Sequence, residues 1–214
     1  MPIWTHVATS LKFAINNIDT GNDKQHVLEF GTGGGRSIKY IRAMLREKTP
    51  KGDIKKNLDI FGFDSHIGLP EDWTTEISSI PLVQSKRAMA VSLRERDSLL
   101  KEYDQLNIKF YCGWFKDTLP EYINIAKNIA LLHIDCDIYS STIEVLYSLN
   151  QFIVSGTIIV FDEWIYNYNE VFNDHEQKAF YEWVEDKNRK FEFLEAPKLE
   201  NLDTIEQKTI KILK

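Results

Sequence analysis

Apolar residues follow two alternating rhythms along this chain. Short runs in which most positions are apolar (27–30, 58–63, 108–112, 129–134 and 157–161) are separated by longer stretches with apolar residues three or four apart (36–48, 82–103, 118–127, 140–152 and 175–187). The first kind reads as strands buried on both faces, the second as amphipathic helices. Their alternation predicts an α/β fold, with a mostly parallel sheet covered by helices on both faces. A further helix is expected at 6–18, with Val7, Leu11, Ala14, Ile15 and Ile18 on one face and Gly21 as its stop. The tail breaks the rhythm. Residues 190–195 and 209–213 alternate apolar and polar with no helix between them, which predicts an antiparallel addition at one sheet edge.

Composition narrows this picture. A length of 214 residues suits a single domain over 1–214, and 43% hydrophobic with 27% charged residues suits an ordinary soluble core. Within it, 1–25 reads as an N-terminal helical segment and 65–105 as a lid or insertion between the second and third strands. Gly68, Pro70 and Pro81 make 64–85 the longest irregular stretch. A net charge of −6 argues against a nucleic-acid or anionic-membrane partner. No apolar run approaches the ~20 residues of a membrane span, and Met1 to His6 lack a signal-peptide layout. Cys112 and Cys136 are too few for a disulfide scaffold, so a cytoplasmic setting is expected. The apolar side of the first helix (Trp4, Val7, Leu11) offers a surface for a homodimer.

Candidate chemistry gathers at the strand ends. Four of ten glycines fall in Gly31-Thr32-Gly33-Gly34-Gly35, where the first strand meets a helix. Such a loop lets backbone N–H groups approach a ligand closely. The other strands finish at Asp64, Gly113, Asp135 and Asp162-Glu163, and ligands of open α/β sheets bind outside these carboxyl ends. The loop lacks a G-x-G-x-x-G register, since the third glycine position is Arg36. Glu29, two residues earlier, would repel a phosphate but suits a cation. S-adenosylmethionine fits both conditions, having an ammonium, a sulfonium, a ribose and no phosphate. Glu29 is then expected to hold the ammonium, directly or through water, and Asp64 the ribose hydroxyls. The competing reading of Glu29 is a strand residue paired with a nearby Lys or Arg.

The segments Leu28-Glu29-Phe30-Gly31-Thr32-Gly33-Gly34-Gly35-Arg36-Ser37 and Gly62-Phe63-Asp64-Ser65-His66-Ile67-Gly68-Leu69-Pro70 resemble class I S-adenosylmethionine-dependent methyltransferases. More specifically, Gly113-Trp114-Phe115-Lys116-Asp117-Thr118-Leu119-Pro120 and the segment from His133 to Thr142, followed by Asp162-Glu163, resemble the macrocin O-methyltransferase-like group. That resemblance implies a Rossmann-like sheet of seven strands whose last two form the reversed edge. It implies methyl transfer to a hydroxyl of a small molecule or sugar. It also implies a divalent cation, usually Mg2+, held by Asp135, Asp162 and Glu163; three carboxylates suit such a hard ion. The cofactor site would comprise Glu29, Gly31, Thr32, Gly33, Ser37, Asp64, Ser65, Trp114, Phe115 and Asp135, with Ser37 near the methionyl carboxylate and the two aromatics beside the adenine. Asp137 reads as a ligand, a catalytic base or a helix cap. His175 is a second candidate base, and Trp164, Tyr166, Tyr168 and His175-Glu176 a candidate acceptor wall, against a bland reading as loop and cap. His133, inside a strand, reads as buried and hydrogen-bonded. Two readings compete with methyl transfer, a non-catalytic cofactor- or metal-binding module and a nicotinamide-dependent oxidoreductase.

Overall fold

The structure, a computed structural model, describes residues 4–19, 23–47, 58–75, 82–168, 170–172, 174–195 and 205–214. In chain order the elements are α1 (Trp4–Asn17), β1 (Gln25–Phe30), α2 (Arg36–Glu47), β2 (Leu58–Asp64), β3 (Trp73–Thr74), β4 (Leu82–Gln84), α3 (Leu93–Gln105) and β5 (Ile108–Cys112). They continue with α4 (Phe115–Ile123), β6 (Ile129–Ile134), α5 (Tyr139–Leu149), β7 (Ile158–Tyr168), β8 (Glu170–Phe172), α6 (Glu176–Asp186), β9 (Phe191–Leu194) and β10 (Ile205–Ile212). The main sheet runs in the order β5-β2-β1-β6-β7-β10-β9, with the short β8 pairing β7 off that path. β5, β2, β1, β6 and β7 are parallel. The reversed strand is β10, which lies between β7 and the edge strand β9 and is antiparallel to both. The chain winds outward from β1 through β2 to β5 and from β6 to β7 on the other side, so strand order reverses between β1 and β6. That reversal opens a crevice above the carboxyl ends of the two strands.

Both sheet faces are covered, as the continuous apolar runs require. Val7, Leu11, Ala14, Ile15 and Ile18 pack with Ile38, Ile41 and Leu45 of α2 and Leu99 and Tyr103 of α3 on one side. Leu119 and Tyr122 of α4, Val145, Leu146 and Leu149 of α5, and Phe180 and Trp183 of α6 fill the other. The apolar face of α1 is therefore spent inside the molecule, which removes Val7 and Leu11 from the proposed dimer surface; the Trp4 side chain lies outside the described residues.

Several expected boundaries shift. The helix expected at 82–103 begins only at Leu93, capped by Ser92, whose Oγ accepts the Glu95 N–H at 3.3 Å. Residues 82–84 instead form β4, paired with β3. Within 65–105, α3 is thus a crossover helix packed on the core, while the small hairpin and its flanking turns rise over the crevice. The strand expected to stop before Asp162 continues to Tyr168, because Ile165 and Tyr166 find antiparallel partners in β10. Gly21, Lys48 and Pro81 lie outside the described residues.

Candidate active site

The crevice is a cleft of about 1020 Å³ between the glycine loop, the hairpin turns and the ends of β2, β5, β6 and β7. Gly31, Thr32, Gly33, Ser37, Asp64, Ser65, Trp114, Phe115, Asp135, Asp137 and Glu163 all line it.

The loop's glycines divide into two kinds. Gly31 has φ +88°, and a Cβ there would lie 1.6 Å from the Asp135 carbonyl oxygen, so the ends of β1 and β6 pack backbone to backbone. Gly35 faces Tyr103 of α3, whose hydroxyl would be 2.4 Å from an added Cβ. Among the described residues, Gly33 and Gly34 meet nothing within 4 Å, leaving a bare cradle. Asp64 is braced from both sides, Oδ2 accepting the Gly33 N–H and Oδ1 the His66 N–H, each at 2.7 Å. Its carboxylate is thereby fixed at the lip of the cradle, with lone pairs to spare.

Glu29 lies elsewhere than expected. It is 1% exposed and does not line the cleft. Its Oε1 accepts the Ser37 hydroxyl at 2.6 Å, and its Oε2 lies 3.3 Å from Nδ1 of His133. The paired-strand reading holds with His133 as partner in place of Lys or Arg. Nε2 of His133 faces Asp162 Oδ1 at 3.9 Å, so a buried line runs Ser37–Glu29–His133–Asp162 across three adjacent strands. Burial opposes a charge on His133, but Asp162 and Glu29 outweigh it and hold the ring well above the usual histidine range.

At the far end of that line Asp135, Asp162 and Glu163 bring ligand oxygens within 4.8 Å of one another. Burial, then the charge of Asp162, raises the Asp135 and Glu163 carboxyls well above their normal range. The same causes, with Asp64, raise Asp137 to about 7. Among the described residues, Asp162 Oδ1 and Glu163 Oε2 are buried and find no hydrogen-bond partner. Buried, convergent carboxylates of this kind fit a divalent cation. Asp137 holds φ +63° at the turn into α5, whose N-cap position is Ile138; the cap reading of Asp137 is not what the helix uses.

Other expected residues sit elsewhere. His175 does not line the cleft, and both its ring nitrogens are taken by backbone groups: Nδ1 accepts the Tyr139 N–H at 3.0 Å, and Nε2 contacts the Thr74 carbonyl at 2.5 Å. No ring nitrogen is left to take a substrate proton. Trp164 is a core residue, 3% exposed and packed on Phe161 and Phe180, so it is no acceptor wall. The Tyr166 and Tyr168 side chains lie outside the described residues. Sequence reasoning set Glu176 in the loop before the last long helix and missed that it is fully buried, its Oε2 accepting the Glu163 N–H at 3.0 Å and supporting the acid group from behind. It also missed Ser140, Ser141 and Glu144 of α5 in the lining. The two serines stand inside the His133-to-Thr142 motif, so they were visible; nothing in sequence spacing links Glu176 to Glu163.

The strand order, with a bare glycine loop and a braced acid above the switch between β1 and β6, defines the Rossmann-like methyltransferase fold. A family model described as macrocin O-methyltransferase (TylF) matches residues 6–181, and the chain belongs to that family. Over 160 residues it is 26% identical to the 8-demethyl-8-(2,3-dimethoxy-alpha-L-rhamnosyl)-tetracenomycin-C 4'-O-methyltransferase of Streptomyces olivaceus, covering 72% of this chain and 59% of that protein. It is also 26% identical over 161 residues to the demethyldecarbamoylnovobiocin O-methyltransferase of Streptomyces niveus, covering 73% and 59%. The match thus spans about three fifths of these relatives' length. Among solved structures, the calicheamicin methyltransferase CalS11 superposes with a TM-score of 0.71 at 18% identity, over 98% of this chain and 77% of that one. No helix among the described residues is long and apolar enough to cross a membrane.

Proposed function

We propose that this chain transfers a methyl group from S-adenosylmethionine to a hydroxyl of a sugar or other small molecule, assisted by a divalent cation. The observation that carries the reading is the meeting, in one cleft, of the open Gly33–Gly34 cradle with Asp135 and Glu163, behind which Asp162 completes the group of three convergent acids. Family membership and relatives that act on glycosylated natural products support it. No observation favours a nicotinamide reaction or a silent binding module.

In this reading the cofactor lies along the loop with its ribose on Asp64, whose two backbone donors leave it no freedom to swing away. Ser37 presents the methionyl group with a hydroxyl backed by the Glu29 charge, so the glutamate acts one atom removed from the ligand. Trp114 and Phe115 flank the adenine from the β5–α4 turn, Phe115 held edge-on by Phe30. The chain's main contribution is alignment of oxygen, methyl and sulfur, on the order of 7–11 kcal/mol for well-placed reactants. Asp135, Asp162 and Glu163 would hold the cation, which when bound supplies positive charge beside the acceptor oxygen and fixes its direction. Glu176 keeps the Glu163 backbone in place. Asp137, lining the same end of the cleft, is the residue placed to receive the hydroxyl proton on its carboxylate.

Calorimetry with S-adenosylmethionine, and turnover on glycosylated acceptors with and without EDTA, test this. Binding in the micromolar range, with turnover lost in chelator and regained with Mg2+, is expected. Undiminished turnover in excess EDTA would remove the cation, and absence of cofactor binding would remove the whole reading.

A further inference from the structure

The turns around the β3–β4 hairpin form the roof of the cleft, contributing Ile67, Leu69, Pro70, Arg87, Ala88 and Met89 to its lining. The roof is internally tied, with Leu69 bonded to both members of the Arg87-Ala88 pair across it (Leu69 N–H to Ala88 O at 3.2 Å, Arg87 N–H to Leu69 O at 3.0 Å). It is attached to the body at several points. Leu69 and Trp73 pack on Ile138, and Ser140 Oγ donates to Glu71 Oε1 at 2.5 Å. His66 stacks on Phe110 of β5 at 4.9 Å, Val91 packs against the core beside α2 and α3, and His175 adds a further tie.

His175 stands at the N-cap of α6, yet its side chain makes no cap bond to its own helix. It is spent on two other segments. The first residue of α5 is Tyr139, and its N–H is one of the donors a helix start leaves without an intrahelical partner. The N-cap residue there is Ile138, whose side chain has nothing to offer it. His175 Nδ1 supplies the missing acceptor at 3.0 Å. Accepting at Nδ1 places the ring proton on Nε2, which donates to the Thr74 carbonyl at the end of β3. The Trp73 ring meets the imidazole edge-on at 6.0 Å and 87°. One neutral ring thus joins hairpin, α5 and α6, segments separated by about 100 and 36 residues in the chain.

We propose that His175 is a positioning residue that latches the roof of the cleft, residues 66–75 and 82–92, to the start of α5. It sets how the cofactor and acceptor are enclosed and takes no part in moving the substrate's proton. The geometry requires an acceptor and a donor on the same side chain. A group with neither, or with only one, leaves Tyr139 N–H or Thr74 C=O without its partner. The latch holds whether or not the cleft performs methyl transfer; only its kinetic consequence rests on that reading.

Hydrogen–deuterium exchange on the full chain without ligands tests it directly. In His175→Ala the amides of Leu69, Arg87, Ala88 and Tyr139 should exchange about tenfold faster than in the wild type, as expected for two lost hydrogen bonds, while those of β1 and β6 stay unchanged. His175→Gln, which carries an acceptor and a donor on one amide, should recover most of the protection. Unchanged exchange in the Ala variant, or a Gln variant as fast as Ala, would overturn the latch. In turnover, His175→Ala should raise KM about tenfold and leave kcat within about threefold. A hundredfold fall in kcat at unchanged KM would instead make His175 a participant in the chemistry and overturn the proposal. Should the wild type make no methylated product, the assigned reaction fails, and the exchange result still decides the latch.

Discussion

Gly31 and Gly34 stand three residues apart and are opposite in kind. Gly31 is fixed by the body of the protein: its φ of +88° and the Asp135 carbonyl 1.6 Å from an added Cβ leave no room for a side chain. Gly34 meets nothing, so any side chain there projects into the space assigned to the cofactor. Gly31→Ala should cost more than about 3 kcal/mol of folding stability in urea titrations. Gly34→Ala should leave stability within about 1 kcal/mol yet weaken S-adenosylmethionine binding at least tenfold by calorimetry. Equal losses of stability in both variants would mean that the loop is only a structural corner. The sequence showed the glycine cluster plainly but could not separate these two roles, because one depends on how closely β1 and β6 approach. The partner of Glu29 was hidden for the same reason. Its neighbour His133 lies more than a hundred residues away, and only strand pairing, Glu29 beside His133, brings them together.

Elements with an unbroken apolar run and a clear stop were easy to read. β1, β5 and β6 have nearly the expected bounds, since a continuous apolar run that ends in Gly or Asp needs no further context. β7 was cut short because Asp162-Glu163-Trp164 reads like the start of a loop, whereas the strand is prolonged by β10 some forty residues on. α3 was read eleven residues too early, although Ser92 with Glu95 three residues later is a start signal visible in the sequence. Strands and helices also share buried polar ties that periodicity cannot show. His26 on β1 contacts the Tyr122 hydroxyl of α4 at 2.8 Å, and burial pushes the ring down from 6.5 to about 4. With the folded value depressed, the unfolded chain takes up this proton first. Stability is then complete above pH 6.5 and falls as pH drops toward 4, by about 3 kcal/mol. His26→Asn should lack that share of the acid sensitivity when unfolding midpoints are compared at pH 7.5 and 4.5. Parallel pH profiles in the two proteins would refute the assignment.

For the molecule as a whole, the acid group is a liability maintained at the heart of an otherwise well-packed body. Asp135, Asp137, Glu163 and Glu176 are all held above their ordinary range by burial first and by the Asp162 charge next. Neutralising one of them should therefore relieve the fold while harming the site. Glu163→Gln is expected to gain about 1 kcal/mol, or about 2–4 °C in Tm, in chelator-containing buffer. It should lose most of the thermal shift that added Mg2+ produces in the wild type. A Tm below that of the wild type in chelator would show that the carboxylate is needed for folding itself. β7 carries two of these acids between neighbours of very different origin: β6, about two dozen residues upstream, and β10, some forty residues downstream. During synthesis the strand thus emerges with one flank satisfied and the other bare until residues 205–212 have left the ribosome. The ladder that braces the acids on that side therefore closes only after some forty further residues have been made.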